Sequence, residues 1–116
     1  MHKLLFAIAL IVSATSAQAT GGFVCRTAGA NPIQVSVGFG HVPGSPLILS
    51  RLTDDGRNVP VKPAQWWLDN DELRLVLIDP EARSEQVKLK AGRNLYTYDG
   101  SLWRNGQRRW VRCRES

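Results

Sequence analysis

The chain has 116 residues with fifteen Lys and Arg against ten Asp and Glu, a formal charge of +5, two cysteines and two histidines. That length holds one domain with a modest core and leaves no room for two. Beyond the first nineteen residues only His41 accompanies the two cysteines, a poor ligand set for a structural metal, so neither a metal nor another cofactor is expected.

Met1 to Ala19 reads as a cleavable export signal. His2 and Lys3 give a basic start, Leu4 to Val12 an apolar run, and Ala17-Gln18-Ala19 the small residues that a signal peptidase needs. The run of nine residues is about half of what a helix needs to cross a bilayer, so no anchor is expected in the mature form. Cleavage after Ala19 would leave 97 residues, remove Lys3 and bring the formal charge to +4. A periplasmic or secreted location permits oxidation, so Cys25 and Cys113 are expected to be bonded and the two ends of the domain to meet.

The rest shows strand periods. Six prolines and ten glycines break the chain into short pieces, and no mature window carries a helical apolar period. Ile33, Val35, Val37 and Phe39 alternate with Gln34, Ser36 and Gly38, the pattern of a half-buried strand over 33–39. The stretch from His41 to Pro46 is a Pro/Gly loop. Leu47 to Leu52 is a second strand, ended by the turn residues Asp54-Asp55-Gly56. Pro60 and Pro63 bracket an irregular or extended connection to Trp66-Trp67.

Leu73, Leu75 and Leu77 then alternate with Arg74, Val76 and Ile78, a strand with two apolar faces in its second half, as suits a central position. Val87 and Leu89 alternate with Gln86, Lys88 and Lys90, and the lysines suggest an edge strand closed at Ala91-Gly92. From Tyr96 to Cys113 two runs flank Asn105-Gly106, the favoured pair for a two-residue type I′ hairpin. That loop sets Arg104 opposite Gln107, Trp103 opposite Arg108, Leu102 opposite Arg109 and Tyr98 opposite Cys113. One face carries Tyr96, Tyr98, Leu102, Val111 and Cys113 and is assigned to the core. The other carries Asp99, Trp103, Arg108, Trp110 and Arg112. The expected fold is all-β, a small antiparallel barrel or sandwich of seven or eight short strands over residues 20–116, tied by Cys25–Cys113.

Trp103, Arg108, Trp110 and Arg112 are the candidate binding residues. As structure they form a cation–π and apolar cover on a hairpin, with Asp99 opposite Arg112 as an ion pair. As function they form an aromatic, basic platform for an anionic glycan or for an envelope or host protein. Export removes the usual nucleic-acid substrate of such a platform. His41 has no nucleophile motif beside it, and Asp69, Asp71 and Glu72 lack calcium-loop spacing, so no catalytic residue is assigned.

FVC followed by IQVSVGF, the stretch WWLDNDELRL, and a cysteine close to the C-terminus resemble the membrane-bound and periplasmic inhibitors of C-type lysozyme. That resemblance implies a small exported eight-stranded antiparallel barrel and an inhibitory role. The family's inhibitory signature, a Ser-Gly pair before a tyrosine and a tryptophan followed by Lys-Gly, has no counterpart here, and no inhibitory residue is carried over. Three classes of function follow: an exported binding or inhibitor module, a structural or stress-related envelope protein without a specific ligand, and a small hydrolase.

Overall fold

The computed structural model describes residues 21–40 and 47–116. The export signal and the His41 loop lie outside the described residues. Among those described there are nine strands and no helix: β1 Gly21–Thr27, β2 Ile33–Phe39, β3 Leu47–Asp54, β4 Arg57–Val59, β5 Lys62–Leu68, β6 Glu72–Ile78, β7 Glu85–Asn94, β8 Thr97–Arg104 and β9 Gln107–Glu115. They form a single antiparallel sheet in the order β4-β3-β2-β1-β9-β8-β7-β6-β5.

Two hairpin meanders, β1–β4 and β5–β9, are joined in this sheet by the β1–β9 ladder. Its centre is the Cys25–Cys113 disulfide, between residues that face each other in register. The sheet curls into a half-barrel. Its edge strands β4 and β5 are separated only by Pro60 and Val61, so the chain that ends one edge starts the other. Proline suits this corner, since it offers no N–H to a ladder. Across the gap β3 touches β5 and Phe39 stacks on Trp66 with ring centroids 5.3 Å apart. Asp54 of β3 reaches Arg104 of β8 at 2.7 Å.

The concave face is the core. Alternate residues Val35, Leu52, Leu75, Leu77, Val87, Leu89, Leu102, Val111 and both cysteines are almost fully buried. One end is closed by Phe23 edge-on to Tyr98, centroids 5.3 Å apart, whose hydroxyl donates to the Asp69 carbonyl at 2.7 Å. At the other end Arg109, at the rim of the core face, donates to the carbonyls of Asn31 and Ala28 and fixes the β1–β2 loop.

The strand at 33–39 and the final hairpin follow the sequence. Asn105 and Gly106 have φ of 52° and 76°, as a type I′ loop needs, and all four expected pairs are present. Asp55 and Gly56 make an equivalent turn between β3 and β4.

The expected all-β antiparallel fold with its disulfide is present, and the described residues hold nine strands, because Arg57–Val59 pairs briefly with β3 and Lys62–Leu68 pairs with β6 across a bulge at Pro63. Two expectations are corrected. The strand holding Lys88 and Lys90 is central, between β6 and β8, and runs through Ala91-Gly92. Its lysines point to the wet convex face, which gives the same alternation as an edge. Tyr96 is not in the core: it sits at the tip of the β7–β8 turn beside Leu95, whose φ is 58°, and is 90% exposed.

Gly100 sits where β8 leaves no room for a side chain against β7. A Cβ there would collide with the Lys90 carbonyl oxygen and lie 2.6 Å from the Ala91 Cα. Gly100→Ala is expected to destabilise the protein by about 1 to 3 kcal/mol, the range for overpacking, as measured by urea unfolding. Replacing both cysteines by serine should cost roughly 4 kcal/mol in the same experiment, because the bridge closes 88 residues.

Candidate functional site

Because the sheet is one continuous ladder, residues on its convex face line up in rows that cross many strands. One row runs Gln65, Val76, Lys88, Trp103, Arg108, and the next Trp67, Arg74, Lys90, Ser101, Trp110. A third runs Glu72, Gly92, Asp99, Arg112, Arg26, Gln34. A fourth runs Asn94, Thr97, Arg114, Val24, Ser36, Arg51.

Eight cations stand in these rows: Arg26, Arg51, Arg74, Lys88, Lys90, Arg108, Arg112 and Arg114. The rows hold two carboxylates, Glu72 and Asp99. The excess of six exceeds the +5 of the whole chain, so the positive charge is concentrated on this face. Both carboxylates are already paired, Glu72 with Arg74 at 2.7 Å and Asp99 with Arg112 at 2.9 Å. Among the described residues the other six cations have no carboxylate within ion-pair distance.

The four residues singled out in the sequence share this face in different environments. Trp110 is 54% exposed, and Trp103 is half-buried. The cation over Trp103 is Lys88, its Nζ 5.6 Å from the ring centroid, and it comes from β7 rather than from the arginines of the hairpin. Arg108 donates from Nε to the Ser101 hydroxyl at 2.7 Å. Arg112 grips Asp99 with two hydrogen bonds of 2.9 and 3.1 Å.

Asp99 also accepts from Asn94 at 2.8 Å and from Thr97 at 3.1 Å. The Arg112 guanidinium, helped by these donors, holds its carboxyl down at about 2.

The structure adds residues that sequence reasoning did not reach. Arg26 of β1 lies directly opposite Arg112 of β9, in the pair next to the bonded cysteines. Arg26, Arg112, Arg114 and Trp110 line one shallow depression of about 380 Å³. Trp67, 56% exposed, and the cations Arg74, Lys88 and Lys90 line another of about 410 Å³. Strand alternation around Lys88 was visible in the sequence, whereas the segment leading to Trp67 read as an irregular or extended connection and is strand β5. Their place beside the hairpin depended on long-range pairing.

Among the described residues no group of three or more His, Cys, Asp or Glu could hold a metal ion, and no helix is long and apolar enough to cross a membrane. The acidic cluster is a turn: Asp69 accepts from the backbone N–H groups of Asp71 and Glu72 and from the Trp67 indole. No family model, no curated protein and no solved structure matches this chain.

The depressed Asp99 carboxyl makes a pH-dependent contribution to stability. It is fully present above the ordinary Asp range near 4 and is lost as pH falls through about 2. Asp99→Asn is therefore expected to lower stability at pH 6 by about 1 to 2 kcal/mol, discounted because Arg112 is half-exposed. The variant and parent should converge in chemical denaturation near pH 2.

Proposed function

We propose that this chain is an exported, non-enzymatic binding protein of the cell envelope that captures a polyanionic partner on its convex face. Trp103, Arg108, Trp110 and Arg112 form its centre, and Arg26 and Arg114 extend it across the disulfide-joined strands. Trp110 supplies a flat ring, and the surrounding guanidiniums supply paired donors for carboxylate, phosphate or sulfate oxygens.

The observation that carries this reading is the pair Arg26 and Arg112. Like charges directly opposed across two strands are destabilising. Asp99 neutralises one of the two, while among the described residues Arg26 holds the Gln34 side chain, at 3.1 Å, and no carboxylate. Solubility alone is served by arginines anywhere on the surface. Their concentration beside an exposed indole fits an anionic ligand.

The single disulfide supports export, since such bonds persist in oxidising compartments. Lysozyme inhibition has only the general fold in its favour, and fold alone does not carry function. A C-type lysozyme is itself strongly basic, and this face would repel it at long range.

Arg26→Glu separates function from stability. The new carboxylate would face Arg112, so thermal stability should be unchanged or slightly higher. Affinity for polygalacturonate, measured by isothermal titration at low salt, should fall about tenfold and the salt dependence should flatten. A parent protein that does not bind this or any other polyanion would end the proposal.

A further inference from the structure

Arg26 of β1 and Arg112 of β9 face each other in register, and Trp110 and Arg114 flank Arg112 on the same side of β9, two residues away in each direction. Alternate residues of a strand lie about 7 Å apart, so the four side chains rise from one small area of two adjacent strands. They border a single depression of about 380 Å³, together with Thr27 and Ala28. Its lining holds three guanidiniums, one half-exposed indole and no carboxylate.

The three arginines are committed to different degrees. Arg112 gives its Nε and Nη2 edge to Asp99. Arg26 uses Nη1 on the Gln34 side chain, so its Nε and Nη2 edge, the one that matches two oxygens of a single group, has no partner among the described residues. Arg114 makes no side-chain hydrogen bond or ion pair among the described residues. Three guanidiniums less the Asp99 carboxylate leave the depression with a charge of +2.

A carboxylate offers two oxygens and a sulfate ester three, but each carries a single negative charge and leaves one of those cations unmatched. A phosphate monoester carries about −1.5 to −2 near pH 7 and presents three terminal oxygens, one for each arginine. We infer that this depression is a site for a phosphate monoester carried on a sugar ring, with the phosphate seated among Arg26, Arg112 and Arg114 and the ring lying against Trp110. The inference rests on the binding role proposed for the convex face and names the chemical group that face selects: its partner is an envelope glycan bearing phosphate monoesters. Nucleic acid carries its charge as phosphodiesters, each with a single negative charge, and offers a monoester only at a chain end.

Glucose 6-phosphate, glucose 6-sulfate and glucuronate share a ring and differ in the charged group. Titrated into the oxidised protein at about pH 7.5 and fixed salt, and read by the Trp110 indole N–H in NMR and by calorimetry, glucose 6-phosphate should bind about tenfold more tightly than the other two. The charged groups around the depression are Arg26, Arg112, Arg114 and, paired with Arg112, Asp99, whose carboxyl lies at about 2; none changes charge between about pH 5 and 7.5. The phosphate itself does, near pH 6, so its affinity should fall about fivefold on going to pH 5 while the other two ligands stay level. Arg114→Gln should remove most of the preference for phosphate and leave the unfolding temperature unchanged. Trp110→Ala should weaken glucose 6-phosphate and leave inorganic phosphate as it was.

Equal affinities for the three sugars, or a phosphate affinity that does not change with pH, overturn the assignment; if polygalacturonate still binds, the convex face stands as a general polyanion surface. If Trp110→Ala weakens inorganic phosphate as much as the sugar phosphate, or weakens neither, the ring contact is overturned. If neither polygalacturonate nor any of these ligands binds, both readings fail. A phosphomannan trimmed to its monoesters should bind more tightly per phosphate than the free sugar, and equal affinity would overturn the glycan partner in favour of a soluble sugar phosphate. Single-stranded DNA without a terminal phosphate that binds as tightly as the phosphomannan overturns the choice of group.

Discussion

The ladder between β1 and β9 is the contact on which the whole molecule depends. It is where the two meanders become one sheet, and the Cys25–Cys113 bond fixes its register at the middle pair. Side chains alternate between faces, so a slip of one residue there would invert the N-terminal meander relative to the C-terminal one. Val35, Val37 and Phe23 would turn to water, and Arg26 would turn into the core. A disulfide therefore does more than restrict the unfolded chain. It decides which face of β1 joins which face of β9.

From that register the surface chemistry follows. Cys25 and Cys113 face inward, so their neighbours Arg26, Arg112, Val24 and Arg114 face outward. The same outward parity continues through β8, β7 and β6 to Trp103, Lys88, Lys90 and Arg74, and reaches Trp67 on the edge. The core needs only apolar residues at alternate positions and is indifferent to what occupies the others. That six cations there have no carboxylate partner among the described residues, Arg26 and Arg114 of the two strands near the bond being two of them, is a property the fold tolerates without requiring. Such a surface costs stability through repulsion, and a polyanion would offset that cost on binding.

Much of this was legible in the sequence where signals are local. Asn105-Gly106 fixes both loop length and register, so the pairs from Arg104–Gln107 to Tyr98–Cys113 could be counted off directly. The alternation over 33–39 gave a strand with the observed bounds. Tyr96 failed because the β7–β8 turn is built on Asn94-Leu95-Tyr96-Thr97, where a leucine rather than a glycine takes the left-handed conformation. β7 failed because a central strand with one wet face shows the same alternation as an edge strand. Arg26 and Trp67 were missed for a third reason. Their neighbours on the face are set by strand order, which ladders between distant segments decide and no local window contains.

The most direct test of the central claim is a map of the bound surface. In a heteronuclear NMR titration of the oxidised protein with polygalacturonate, the largest shifts should fall on the indole N–H of Trp110 and Trp103, the side chains of Arg26 and Arg112, and the backbone of β9 and its neighbours on the convex side. Shifts gathered instead at Phe23, Tyr98 and Arg93, at the end of the half-barrel that the two rings close, would place the ligand there and contradict the account.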